Sequence, residues 1–322
     1  MKIFIVGGTG FLGYHTALEA LKNNYEVATI SLEDIKLGDW FPKEITVNYG
    51  NIFDMEEEKL ISLFKGYDYL IYSVGPDDRV TPKAPAYQFF YDRLVVNCTK
   101  VISAARQAGI KKSIVFNSYF AYFDRERPLL KLSEKHPYIK CRVEQASRTI
   151  AEGQGVMDVC ILELPYIFGT MPERMPIWKE LLVDTILKRN TIYFTKGGTA
   201  MISVEGVASA VIATINKGVH GERYPICDVN MDYMTMLSIM QNEMGFKKEI
   251  KSISKRTAVF IGRLLKFKHM LQGKESGLDP VWLMKELQTD YLYIDCDEIR
   301  EKLGFKTTDI EASIRETISK CI

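Results

Sequence analysis

The chain opens on a short apolar run, Ile3 to Val6, that ends in glycines. A run this short, bounded by turn residues, reads as a buried parallel strand. Apolar positions then recur with helical spacing at Phe11, Leu12, Ala17, Leu18 and Leu21, and the pattern stops at Asn23–Asn24. The alternation repeats, with strands at 27–30, 46–48, 69–72, 113–117 and 159–164 and helices at 57–64, 87–108 and 137–151. Such alternation requires right-handed crossovers, and so predicts an α/β fold: a doubly wound, Rossmann-like parallel sheet with helices on both faces. After residue 165 the rhythm loosens, because Pro165, Pro172 and Pro176 fall close together. A helix at 204–216 and a strand at 223–227 then suggest a return to the first unit. The expected division is a main domain over 1–165 rejoined by 200–228. A smaller, mainly C-terminal lobe is expected from 166–199 and 229–322.

Composition narrows the partners. Of the 322 residues, 42 are Lys or Arg and 41 are Asp or Glu, so a net charge of +1 argues against nucleic acid. The six cysteines are dispersed and form no Cys-x-x-Cys pair, and the four histidines are equally scattered, so no metal site is expected. This spacing reads as reduced, buried thiols in a cytoplasmic protein. Neither a signal-peptide core nor an apolar run of bilayer length is visible.

The strongest chemical signal is Val6-Gly7-Gly8-Thr9-Gly10-Phe11-Leu12-Gly13, between the first strand and the first helix. Gly7 permits a tight turn, Gly10 lets a pyrophosphate approach the backbone, and Gly13 lets helix and strand pack closely. Free amides at the helix N-terminus favour the phosphate charge. The main domain therefore reads as a dinucleotide-binding domain, and the second as a substrate lobe.

From these glycines through His15-Thr16 to about residue 30, the chain resembles the extended short-chain dehydrogenase/reductase family of NAD-dependent epimerases and dehydratases, which includes the UDP-galactose 4-epimerases. The likeness continues in Gly50-Asn51-Ile52-Phe53-Asp54, Asp68 to Tyr72, Asn97 and the strand Ile114 to Ser118. Later landmarks are Ile202 to Ala208, Gly221 to Tyr224, Tyr293-Ile294-Asp295 and Glu301 to Phe305. The resemblance implies cofactor contacts at Gly7, Thr9, Gly10, Phe11, Leu12, Gly13, Ser31, Asn51, Ile52, Val74, Asn97, Lys140 and Pro165. It also implies a homodimer built on the long helices. At the end of the second strand stands Ser31, with Glu33, Asp34 and Lys36 beyond it, which leaves NAD or NADP open with a lean to NAD. Read as a solvated turn, Glu33 and Asp34 decide nothing.

The catalytic positions depart from the family. Its members carry a tyrosine and a lysine at i and i+4 of this helix, after a strand ending in serine. The lysine charge stabilises a phenolate that takes a substrate proton. Ser118 matches the serine. Two pairs compete on the helix: Tyr138 with Arg142, and His136 with Lys140. The downstream Val143-Glu144-Gln145 favours the register with Lys140 in the lysine position and His136 in the tyrosine position. Pro137 then makes His136 a neighbour of the N-cap, where it could also serve as a plain capping residue. Glu163, near the end of the sixth strand, stands where the family has an arginine and puts a negative charge there.

From Lys247 to Lys274, nine cations face one acid, Glu249, a local balance of +8. Among them, Ala258 to Phe267 are spaced for an amphipathic helix. The segment suits a phosphate-bearing substrate, and equally a solvated face over an ordinary core stripe. Contact with a membrane surface is the least favoured reading. The expected function is an NAD(P)-dependent oxidoreductase, epimerase or dehydratase acting on a hydroxylated, nucleotide-activated or phosphorylated small molecule. The alternative is a catalytically degraded NAD(P)-binding sensor or assembly protein.

Overall fold

The computed structural model describes residues 1–322. The first half alternates as follows: β1 (Lys2–Val6), α1 (Phe11–Lys22), β2 (Glu26–Ser31), β3 (Thr46–Tyr49), α2 (Glu57–Phe64) and β4 (Tyr69–Tyr72). Next come α3 (Ala86–Phe90), α4 (Asn97–Gln107), β5 (Lys112–Ser118), α5 (Tyr119–Glu126), α6 (Leu132–Lys135), α7 (Pro137–Glu152) and β6 (Asp158–Leu164). The helix expected over 87–108 is thus split, because Tyr91–Val96 between α3 and α4 is π-helical.

Seven parallel strands form one sheet in the order β10-β6-β5-β4-β1-β2-β3, where β10 is Arg223–Pro225. Side chains alternate across it. Ile3, Ile5, Ile71 and Ile114 face α1 and α9 (Val204–Lys217), while Phe4, Val6, Leu70 and Val115 face the layer of α2, α4 and α7. Both faces are covered, so the central strands β1 and β4 are almost wholly apolar, whereas the edge strand β3 is part-exposed. After β3 the chain crosses to β4 on the far side of β1. The crevice beyond the carboxyl ends of β1 and β4 is where an open sheet of this kind holds a ligand.

The remaining elements make a second layer. β7 (Tyr166–Phe168), β9 (Gly198–Ser203), β11 (Val229–Asp232) and β13 (Tyr291–Leu292) form one small sheet. β8 (Thr191–Thr195) and β12 (Glu249–Ile253) pair in another. The helices here are α8 (Asp184–Lys188), α10 (Tyr233–Glu243), α11 (Lys255–Leu271), α12 (Pro280–Trp282), α13 (Cys296–Leu303) and α14 (Ile310–Ser319). No helix is long and apolar enough to cross a membrane.

Two sequence expectations are corrected. Cys227 and Cys296 are disulfide-bonded and tie the end of the large sheet to α13, so only Cys98, Cys141, Cys160 and Cys321 are free thiols. These residues lie 69 apart in sequence, a pairing that spacing alone does not reveal. Nor does the apolar side of the basic segment join the core. In α11 only Ala258 and Gly262 are buried, whereas Phe260, Leu264 and Phe267 are each more than half exposed.

Candidate active site

The turn after β1 brings three glycines together. Gly7 adopts φ +91°, a left-handed conformation that favours glycine, and a Cβ there would meet Val74 at 2.4 Å. A Cβ on Gly13 would lie 2.1 Å from the Gly7 carbonyl oxygen, so α1 packs on this turn only because Gly13 has no side chain. Gly10 is the N-cap of α1 and no side chain caps the helix, which leaves its first amides for an external anion. At the end of β2 the Ser31 and Thr9 hydroxyls are 3.2 Å apart. Glu33 and Asp34 beyond them are exposed. After β3, Ile52 is buried and Asn51 is bonded within its own turn to Asp54 and Phe53. Val74 follows β4 beside Gly7, and Pro165 follows β6.

Ser118 ends β5, which places it at the same edge of the sheet. Its neighbour Asn117 reaches across to the carbonyl oxygen of Arg142 at 2.9 Å and so joins α7 to β5. On α7 the inward stripe is Tyr138, Arg142, Gln145 and Thr149, all buried and spaced by three or four residues. Arg142 Nε donates to Tyr138 Oη at 2.9 Å. Its Nη1 donates to the Phe116 carbonyl at 3.2 Å and to Gln145 at 2.9 Å, and its Nη2 to the Pro76 carbonyl at 3.5 Å. The guanidinium is therefore held behind the phenol by four protein acceptors. Burial raises the Tyr138 phenol above its ordinary value, while Arg142 and a hydrogen bond with Ser118 pull it down. Ser118, Tyr138 and Arg142 form one connected group.

The favoured register of the sequence reading does not meet this geometry. Lys140 is exposed on the opposite face of α7, with its ammonium 4.5 Å from the centre of the Tyr87 ring. His136 is the N-cap of α7 and wholly buried, but its side chain caps nothing. Instead its Nδ1 accepts from the Asp279 amide at 2.9 Å, and its Nε2 has no partner. Burial lowers its pKa to about 4, so the ring is neutral at pH 7. The packing of the loop before α12 explains the choice: the Tyr138 amide donates to the Gly277 carbonyl at 3.0 Å, and Gly277 sits tightly against Phe90 and Tyr138. A sequence signal for this orientation exists, because Lys140, Glu144 and Arg148 form a charged i, i+4, i+8 stripe that belongs to solvent.

Glu163, the unexpected acid, does not reach into the cleft. It is fully buried and gripped by Arg125 of α5 through two bonds of 3.0 and 2.9 Å. Burial raises its carboxyl above the usual range, and the Arg125 charge acts the other way. Sequence reasoning missed a second acid, Asp78, in the loop after β4. Its carboxyl is raised by burial, and its charge bears on Tyr119, Tyr138 and Tyr166. The signal available was position, since this loop leaves β4 at the point where the strand order reverses.

Residues 3–227 match the NAD dependent epimerase/dehydratase family. The chain belongs to that family. The family's cofactor is NAD, and the uncapped helix beside an open glycine turn fits its pyrophosphate. Among curated proteins, the chain is 20% identical to the mouse sterol-4-alpha-carboxylate 3-dehydrogenase (decarboxylating), over 95% of this chain and 86% of that protein. A nucleoside-diphosphate-sugar epimerase structure from Pseudomonas aeruginosa superposes with a TM-score of 0.74 at 15% identity, covering 99% of this chain and 97% of the other. The UDP-glucose 4-epimerase of Bifidobacterium longum, solved with NAD+ and UDP, gives a TM-score of 0.72 at 14% identity over 100% and 98% of the two chains. In this chain an arginine, Arg142, is bonded to the inward tyrosine of α7.

Proposed function

We propose that this protein is an NAD-dependent oxidoreductase, epimerase or dehydratase, and that Tyr138 is its acid/base group. Its substrate would be a hydroxyl-bearing small molecule carrying a nucleotide or phosphate. The observation that carries the reading is the contact of Arg142 Nε with Tyr138 Oη at 2.9 Å, beside Ser118 at the carboxyl edge of the sheet. NAD supplies the hydride chemistry. Gly7, Gly10 and Gly13 admit its pyrophosphate to the backbone, and Ser31 and Thr9 offer hydroxyls at the end of β2.

Ser118 would hold the substrate oxygen, and Tyr138 would exchange a proton with that oxygen. Arg142 is a positioning residue that acts through Tyr138, because its donors are directed at protein acceptors. An arginine stays charged at any working pH, so it keeps favouring the phenolate without itself taking part in proton transfer. The Tyr138 phenol is raised above its ordinary value, so it is protonated at neutral pH. A protonated phenol gives its proton to a carbonyl oxygen, which suits the reductive direction. Oxidation needs the phenolate, and its rate rises toward alkaline pH. The substrate class is supported by the nucleotide-sugar epimerases that share the fold.

The test is turnover of a panel of nucleotide sugars by Tyr138→Phe, His136→Ala and Lys140→Met, each checked for folding and NAD affinity. Tyr138→Phe is expected to lose about 10²–10⁴-fold in rate, with Lys140→Met close to wild type. A large loss in His136→Ala or Lys140→Met with none in Tyr138→Phe would reverse the assignment. If the wild type binds NAD but turns over nothing, a binding protein without catalysis replaces it.

A further inference from the structure

α11 is docked by one narrow side. Ala258 and Gly262 are its only buried residues, and a Cβ on Gly262 would meet the Pro280 carbonyl at 2.5 Å, so the helix lies directly on α12. At 100° per residue, the opposite side is Phe260, Leu264, Phe267 and Leu271. These four are 58%, 55%, 55% and 71% exposed, a continuous apolar stripe along three turns with nothing covering it. Single exposed apolar residues are ordinary on a protein surface, but an aligned row of large ones marks an interaction site.

Charge says what kind of partner fits. The helix carries Lys255, Arg256, Arg263, Lys266 and Lys268 and no acid. Only Lys266 has a carboxylate partner, Asp279 at 2.6 Å. Arg256 and Arg263 run along one edge of the stripe and Lys268 along the other. A second copy of the same face would set cations against cations, since a two-fold contact pairs a surface with itself. A surface that is apolar at depth and anionic at its rim matches both features at once.

We propose that α11 is an interfacial helix that seats this protein on an anionic phospholipid surface. The stripe enters the boundary of headgroups and acyl chains, and the flanking cations meet lipid phosphates. The helix lies in the plane of the membrane and does not cross it. In this pose the charge of the Lys247–Lys274 segment serves a surface instead of the substrate cleft. The inference stands apart from the catalytic reading, because none of these residues belongs to the site.

The experiment is flotation of the full-length protein with vesicles of phosphatidylcholine mixed with an equal part of phosphatidylglycerol, compared with phosphatidylcholine alone. The wild type is expected to float with the mixed vesicles, less so as salt is raised. The double variant Phe260→Ser, Phe267→Ser is expected to bind at least about tenfold more weakly. The triple variant Arg256→Gln, Arg263→Gln, Lys268→Gln is expected to lose roughly fivefold per charge on the mixed vesicles. Unchanged NAD affinity and thermal unfolding show that both variants fold. The proposal is overturned if folded wild type does not float, or if the Phe260/Phe267 variant floats as well as wild type. A dimer in sedimentation that the same variant dissolves would assign the stripe to a second copy and overturn it too.

Discussion

The turn from Gly7 to Gly13 and the first turn of α7 carry the same kind of evidence, a short motif at the mouth of a sheet, yet they differ in how far that motif reaches. In the glycine turn, function resides in the backbone. Gly7 needs a positive φ, and Gly13 must leave room for the Gly7 carbonyl, so residue type and position coincide. In α7, the proposed acid/base role depends on which side chains face inward, and two pairs with the same i, i+4 spacing compete. Their spacing cannot separate them, because His136–Lys140 and Tyr138–Arg142 lie on different sides of one helix. Contacts from elsewhere decide: Asn117 binds the Arg142 carbonyl from β5, and the loop at Gly277 binds the Tyr138 amide.

This contrast can be broken at either end. After loss of the Tyr138 hydroxyl, the largest expected effect belongs to Gly13→Ala. The added Cβ would sit 2.1 Å from a carbonyl oxygen, and overpacking of this kind costs about 1–3 kcal/mol. NAD affinity measured by calorimetry should fall about tenfold or more. An unchanged affinity in folded protein would show that the turn can open without loss.

The next effect sharpens the placement of His136. Its pKa is lowered to about 4 by burial, against an ordinary value of 6.5. A depressed histidine contributes stability that is complete above about pH 6.5 and lost as pH falls through about 4, because the unfolded chain binds the proton first. The contribution at pH 7 is about 3 kcal/mol. Urea unfolding across this range should show a drop of that size, and His136→Asn, whose side-chain oxygen can still accept from the Asp279 amide, should show a shallower one. Equal slopes would mean that the ring is hydrated in the native state.

A smaller effect is expected from Arg142→Lys. The phenol loses a fixed planar donor but keeps a nearby cation, so the alkaline limb of the oxidation rate should move by about one unit or less. The smallest is Lys140→Met, which removes an exposed cation–π contact with Tyr87. Such a contact is worth about 0.5–1 kcal/mol, and stability should change by no more than that.

Much of the fold was legible because its signals are local. β4, α2 and the start of α7 were placed from pattern alone, since a strand buried on both faces must be apolar and a proline suits the first turn of a helix. The π-helical stretch at Tyr91–Val96 was not legible, because it keeps the same apolar spacing as the helices around it. The place of Ser118 at the end of β5 was likewise readable from the strand pattern. Lys140 was misplaced because its downstream resemblance outweighed the charged stripe Lys140–Glu144–Arg148, which was the better guide.

What the sequence determined by itself is the parallel sheet and the glycine turn of a dinucleotide-binding domain, since each depends on period, backbone freedom or contiguous residues. Tertiary structure alone decided the rest. Arg125 and Glu163 neutralise each other from 38 residues apart, Cys227 meets Cys296, and the apolar side of α11 stays in solvent. An amphipathic pattern states that a helix has an apolar side, but only the packing of its neighbours states whether that side is covered. The same holds for which side chains of α7 face inward, since a distant loop at Gly277 holds the first turn of that helix.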